Sequence, residues 1–357
     1  MPFSKIDGVL TLCAVFLSLF GLAMIGSVAP SLFLQQLAFF GVGFLLYLLF
    51  SSFDYRIFRH LAPLLYLMTM LFLIFTYFWG LTARGSVRWL TIADFRLQPS
   101  EIAKVVLIIT ACSLLLKFRK NFPVALILSL TAMLLPMLLV FLQPDLGSSM
   151  VIASIWLSII LAFGVPKKYL MMGILGLALV IPISWNVLHD YQKQRLVTFV
   201  NPYLDPLGSG YHAIQSTIAV GSGQFWGKGF GKGTQSHLQF LPEQYTDFIF
   251  ATLAEEFGFV GSMIIVALFT ILCLRLIFIA QHAPDLFGCL IVVGVLVMIL
   301  VQTVVNIGMN VGLLPITGIT LPLVSYGGSS LISTLIALGI ASSVAVRSKS
   351  IRWQGKS

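Results

Sequence analysis

Asp247 ends the segment Leu-Pro-Glu-Gln-Tyr-Thr-Asp (241–247), where the longest polar interval of the chain meets an apolar run. Pro242 favours a helix start, so a helix is expected from Pro242 to Glu256, with Thr246 and Asp247 in its first turns. The dipole and free N–H groups of a helix N-terminus keep a carboxylate ionised. Such a carboxylate can take the proton of a sugar hydroxyl; the other reading is a helix-start aspartate without chemistry. Glu243 lies four residues earlier and shares that face on a continuous helix, where it can bind substrate or metal. Glu101 and Lys104, three apart at the start of another apolar run, can pair on one helix face. That pair either serves a site or only orients its helix. In Gln-Pro-Asp-Leu-Gly (143–147), Pro144 ends one helix and Asp145 can cap the next. Glu255 and Glu256 sit inside an apolar run, where carboxylates are costly and face the protein interior. A structural hydrogen-bonding role suits them better than catalysis. Asn306 and Asn310, one turn apart, can hold spans together. The five histidines form no zinc-like cluster, and none is assigned a metal.

Composition names the frame that must hold these groups. Of 357 residues, 59% are hydrophobic and 9% charged, against roughly 45–50% and about 25% in soluble proteins. Mean hydropathy is +1.01. The expected fold is an all-α polytopic membrane protein, a single domain over 1–357 with about ten spans. They run near 7–28, 31–50, 61–80, 102–116, 122–142, 148–164, 170–188, 247–280, 286–313 and 329–346. A large loop, 189–246, separates spans seven and eight. The four cysteines lie in apolar stretches without metal-ligand spacing and read as packing residues. The first apolar run is long enough to span and is followed at once by a second, so it is kept rather than read as a cleaved signal.

The net charge of +9 marks cytoplasmic loops rather than a nucleic-acid partner. With both termini inside, Arg56, Arg59, Lys117, Arg119, Lys120, Lys167, Lys168 and Arg275 all fall inside, as the positive-inside rule asks. Arg84, Arg88, Arg96, Lys193, Arg195, Lys228 and Lys232 are exceptions on the outer side. They are either solvated side chains or a site for an anionic ligand.

Several blocks, in order and over nearly the whole chain, carry a family resemblance. They are RGSVRWL (84–90), QPSE (98–101) with Lys104, QPDLG (143–147), GYHAIQSTIAVGSG (210–223), GKGFGKGTQ (227–235), LPEQYTDFIFATLAEEFG (241–258) and NIGMNVGLLPITGITLPLVSYGGSS (306–330). They resemble the SEDS family, that of RodA, FtsW and their sporulation paralogue. Gly-Thr-Gln (233–235) and Asn-Ile-Gly-Met (306–309) lean towards the RodA branch. Tyr245, where a His is common, and Thr320, where a Pro is common, depart from it.

The resemblance implies a peptidoglycan glycosyltransferase of the bacterial cytoplasmic membrane. It would polymerise lipid II on the outer face during cell elongation and shape maintenance. The family's essential Asp maps onto Asp247, its outer-loop Trp onto Trp89, and its charged pair onto Glu101 and Lys104. Candidate substrate-binding residues are Arg84, Arg88, Trp89, Glu101, Lys104, Asp145, Arg195, Gln215, Ser216, Lys232 and Glu243. Outer cations would match the charge of a leaving lipid pyrophosphate. Inversion would need one base and no covalent intermediate. The Gly-rich run 221–233 can bring backbone close to substrate; it lacks P-loop spacing. A divalent cation, Mg or Mn, could bridge pyrophosphate and carboxylate, but no dedicated ligand set is visible. The implied partners are a class B penicillin-binding protein, expected against spans eight and nine, and other elongation-complex membrane proteins. Two rival readings are a lipid II flippase, weakened by the lack of paired broken helices, and a scaffold. A division role like that of FtsW is the alternative within the family.

Overall fold

Inside lipid an apolar run of about 20 residues can satisfy its backbone only by forming a helix. The computed structural model describes residues 6–354 except 84–85, 93–94, 170, 174–189, 207, 209 and 239. Among the described residues nine helices are long and apolar enough to cross a membrane. The first six are α1 (Gly8–Val28), α2 (Phe33–Ser52), α3 (Ile57–Trp79), α4 (Pro99–Lys117), α5 (Phe122–Leu142) and α6 (Leu146–Phe163). The seventh expected span, 170–188, falls mostly outside the described residues. Three shorter helices follow within the expected large loop: α7 (Asp190–Val200), α8 (Tyr211–Ser222) and α9 (Thr234–His237). The last three spans are α10 (Ile249–Gln281), α11 (Leu286–Asn310) and α12 (Gly328–Gln354).

The segment expected as a polar loop at 81–101 is not irregular. Leu81–Ala83 (β1), Ser86–Ile92 (β2) and Phe95–Leu97 (β3) form a three-stranded antiparallel meander. Leu81 faces Trp89, and Leu90 faces Leu97. The β-branched residues of Ser-Val-Arg-Trp-Leu-Thr-Ile suit this pleat. Among the described residues every segment long and apolar enough to cross a membrane is a helix, as expected.

Burial ranks the spans. Of the apolar windows of α4 and α12, 78% and 83% of residues are buried, against 22% for α2 and α3. These two helices carry several of the polar groups that need protein around them, among them Glu101, Lys104, Ser333 and Ser342. At the end of the bundle away from Asp247, ion pairs tie the helix ends. Arg275 reaches Asp7 at 2.5 Å, Arg56 reaches Asp285 at 2.9 Å, and Arg347 reaches Asp54 at 3.3 Å.

Helix α10 is broken in its first third. Gly258 has φ 66° and ψ −160°, a conformation essentially reserved for glycine. The break frees two carbonyls and two N–H groups, and residues 224–229 take all four. Lys228 N and Gly229 N donate to Glu255 O and Glu256 O at 3.0 and 2.9 Å. Phe259 N and Val260 N donate to Gln224 O and Phe225 O at 2.9 and 3.2 Å. The side chain of Glu255, fully buried, adds a second layer. It accepts from Lys228 Nζ at 2.7 Å, Gln235 N at 2.9 Å, Ser236 N at 3.1 Å and Ser236 Oγ at 3.0 Å. Irregular backbone at membrane depth is tolerated where protein satisfies it in this way. Here Gly227 and its neighbours pack on α10, so the close approach that glycine permits is to a helix as well as to any ligand.

A Cβ at Gly258 would sit 2.7 Å from Phe225 O and overlap Gly227 N. Gly258→Ala is therefore expected to destabilise the protein by at least about 2 kcal/mol, seen as a lower melting temperature in detergent. Glu255→Gln should also lower it, because the amide cannot accept from all four of these donors at once.

Candidate active site

The turn that carries Asp247 is not helical. Residues 242–248 form successive turns and α10 begins at Ile249, so Asp247 precedes the helix instead of lying in its first turns. Glu243 has φ +54°, and its carboxylate accepts from Thr246 Oγ1 at 2.9 Å. The shared helical face expected for Glu243 and Asp247 therefore does not exist. Phe248, at the N-cap, has no side-chain oxygen to offer. Asn310 of α11 supplies one instead: its Oδ1 accepts from Ala251 N at 3.1 Å.

The turn is held through its carbonyls. Tyr326 N donates to Tyr245 O at 2.8 Å, and Ser325 Oγ to Thr246 O at 2.7 Å. Asp247 O accepts from Asn306 Nδ2 at 2.9 Å and from Asn310 Nδ2 at 3.0 Å. Asn306 Nδ2 also donates to Ile319 O at 2.7 Å. Three consecutive peptide units are thus fixed by α11 and by the 315–326 segment, which orients the Asp247 side chain. That side chain lies against Gly318, whose φ is +75°: a Cβ built there would be 3.5 Å from Asp247 Oδ2. Ser216 joins the cluster from α8, its Oγ donating to Asn310 O at 2.9 Å.

Gly318 also lines a second polar centre. A cavity of about 20 Å³ is lined by Gln98, Glu101, Lys104, Ser148, Gln302 and the 318–320 segment, among others. That is room for about one water. Lys104 Nζ donates to Glu101 Oε1 at 2.7 Å, with Lys104 1% and Glu101 5% exposed. Glu101 Oε2 and Gln302 Oε1 are buried with no hydrogen-bond partner among the described residues. Asp145 caps α6 as expected, accepting from Ser148 N at 3.0 Å, and its other oxygen accepts from Gln98 Nε2 at 3.2 Å. Arg88 comes in from β2 and donates to Gln143 O at 3.2 Å and to Pro144 O, with Asp145 at 3.9 Å. It therefore closes the end of α5 as well as adding a cation.

The candidates thus fall into groups. Asp247 and Ser216 share one cluster; Glu101, Lys104, Asp145 and Arg88 share the adjoining one. Trp89 is half-buried on β2, and Gln215 is half-buried on α8. Lys232 is exposed on the loop before α9. Lys228 is spent on Glu255 at 2.7 Å. Arg84 and the side chain of Arg195 lie outside the described residues. Gln302 was not singled out by the sequence, where a glutamine within an apolar run was its signal; Gly318 and Ser325 lie in the 306–330 block, but neither was assigned a role there. Among the described residues no three His, Cys, Asp or Glu side chains gather into a metal site.

Removing one partner of a buried pair strands the other charge. Lys104→Met is expected to cost about 3–5 kcal/mol, whereas Glu101→Gln with Lys104→Met should recover most of it. Melting temperatures of the two variants, compared with the unmodified protein, check this.

Residues 8–350 match the family model for FtsW, RodA and SpoVE, described as cell cycle protein. The chain is 41% identical over 309 residues to the peptidoglycan glycosyltransferase MrdB of Escherichia coli strain K12, covering 85% of this chain and 82% of that protein. It superposes with a TM-score of 0.79, at 34% identity, on a chain solved in a study of how a peptidoglycan synthase complex coordinates polymerization and crosslinking. Coverage there is 96% of this chain and 98% of the other. The Thermus thermophilus rod shape determining protein RodA gives a TM-score of 0.70 at 30% identity, covering 96% and 97%. The chain belongs to the FtsW/RodA/SpoVE family of multi-pass membrane proteins.

Proposed function

We propose that this protein is a peptidoglycan glycosyltransferase that polymerises lipid II during cell elongation, with Asp247 as its general base. One observation carries the reading: a carboxylate on a turn pinned by three consecutive carbonyls, beside Gly318 and the cavity of Lys104. The similarity to MrdB and to RodA supports the activity and the elongation role.

The acceptor's sugar 4-hydroxyl attacks the anomeric carbon of the donor. The new glycosidic C–O bond forms as the bond to the lipid pyrophosphate breaks. The hydroxyl proton passes to Asp247, and the pyrophosphate leaves with the bonding electron pair. A pinned backbone holds the carboxylate within the hydrogen-bond reach that general-base catalysis needs. The pyrophosphate is a good leaving group, so a second carboxyl acid is not required. Lys104 has three donors, one of which goes to Glu101. Together with Arg88 it offers positive charge on the side where the pyrophosphate would depart. Among the described residues no three His, Cys, Asp or Glu side chains gather to hold a divalent cation, and no step depends on one.

The charge pattern supports cytoplasmic termini and an outward-facing site. The partner would be a class B penicillin-binding protein, in keeping with the match to a synthase complex. Helices α10 and α11 present exposed Met263, Ile264, Leu274 and Val304 for such a contact.

Labelled lipid II given to the purified protein in detergent tests the proposal, because no bilayer is left to cross. Asp247→Asn should lower polymerisation by about 10²–10⁴-fold with lipid II binding retained. Polymerisation at the unmodified rate by that variant would overturn the assignment. The Glu101→Gln/Lys104→Met double variant, which should recover most of the stability lost in Lys104→Met, should polymerise at least about tenfold more slowly than the unmodified protein.

A further inference from the structure

Three aromatic side chains of residues 225–230 stay on the surface although their backbone is tied down. Residues 224–229 bond the broken stretch of α10 around Gly258. Gly223 and Gly227 permit this approach: a Cβ at either would overlap Ala254 O or Glu256 O. With the backbone turned to α10, Phe225, Trp226 and Phe230 are 55%, 77% and 54% exposed. Phe225 stacks on Phe259 of α10 at 5.8 Å between ring centres and meets Trp226 edge-on at 5.1 Å. The Phe230 ring lies 6.2 Å from that of Phe257. Five rings from two segments thus flank the break, a contiguous apolar patch rather than scattered side chains.

Two helices place this level at the edge of the bilayer. In α10 every residue of 249–256 is buried. Past the break the helix exposes Phe259, Met263, Ile264 and Leu274. Residues 258–281 run about 36 Å at about 1.5 Å per residue, enough for a hydrocarbon core of about 30 Å. The lipid-facing part of α10 therefore begins at Gly258. Helix α1 agrees: Ser27, one residue before its end, donates to Glu256 at 2.5 Å. Aromatic rings are favoured where acyl chains meet headgroups.

A cation follows the rings. Lys232 N donates to Gly229 O at 3.1 Å, and its stem passes over Gly229, where a built Cβ would be 3.5 Å from Lys232 Cδ. Lys228 is spent on Glu255. Lys232 is exposed and forms no ion pair among the described residues. An apolar stem beside exposed rings, with an ammonium at its tip, suits a phosphate above acyl chains.

We propose that this surface binds an anionic phospholipid in the leaflet on the Asp247 side. Lys232 meets the headgroup charge, and Phe225, Trp226 and Phe230 lie against the upper part of the acyl chains. The same residues bond 255–260, so the lipid holds the broken turn of α10 at the bilayer edge. Lys232 then serves the bilayer and not the substrate. The assignment is independent of the polymerase reading.

Quenching of Trp226 by brominated lipids tests it in nanodiscs that hold the full-length protein in phosphatidylcholine, without lipid II. The Trp226 signal is the difference between the unmodified protein and Trp226→Phe. Phosphatidylglycerol or phosphatidylcholine, brominated high in the acyl chain, is titrated into the discs. Both should quench, and half-maximal quenching should need at least about threefold less of the phosphatidylglycerol, as one lysine at an anionic surface predicts. Lys232→Gln, an exposed change that leaves the fold intact, should bring the two curves together. No quenching by either lipid, equal curves in the unmodified protein, or an unchanged preference in Lys232→Gln would overturn the proposal. So would loss of the preference when unbrominated lipid II is added, which would give Lys232 to the substrate, or loss of quenching when a penicillin-binding protein is added, which would give the surface to that partner.

Discussion

One side-chain amide governs the site. Asn306 donates both of its N–H groups, one to the carbonyl of Asp247 and one to that of Ile319. These two carbonyls belong to the two irregular segments of the site, the turn before α10 and the segment after α11. An unsatisfied carbonyl at such depth costs about 1–3 kcal/mol, so neither segment can leave the other cheaply. Asn310 repeats the device one turn on, bonding Asp247 O and capping α10 through Ala251 N. The Asp247 carboxylate, the proposed base, is thus placed by its backbone.

The same logic explains the break in α10. A straight helix would bond Glu255 O to Phe259 N and Glu256 O to Val260 N. Gly258 cancels those bonds and lets residues 224–229 form four others. The connection between α8 and α9 is thereby stitched to a span that also begins at the site. Glu256 adds a contact to α1, accepting from Ser27 Oγ at 2.5 Å and lying 3.1 Å from His237 Nε2. Residues 224–237 are therefore tied to α10 and, through Glu256, lie beside α1. At the opposite end, Arg275 with Asp7 and Arg56 with Asp285 close the bundle.

Much of this was legible in the sequence, because lipid leaves an apolar run few options. The nine described spans fall within a few residues of the expected ones. Asp145 was readable as a cap, and Glu101 with Lys104 as a pair, since both depend on local spacing. What local spacing could not give was the state of 242–248. Pro242 suggested a helix start, but carbonyl donors from 306, 310, 325 and 326 favour a turn, and those lie far away in sequence. The misplaced partnership of Glu243 follows from the same cause. Arg88 and Lys228 looked like spare cations; one closes a helix end and the other answers a buried carboxylate. The meander at 81–97 was missed because strands of three and seven residues carry little periodicity.

In the proposed reaction the Asp247 carboxylate takes the proton of the attacking hydroxyl. Chemical rescue measures it most directly. Asp247→Ala removes the base and leaves space beside Gly318 for a small carboxylate. Formate added to the purified variant should restore polymerisation of lipid II in a concentration-dependent way and leave the unmodified protein unaffected. A variant that binds lipid II and polymerises at the unmodified rate without formate, or that formate never accelerates, would contradict the claim.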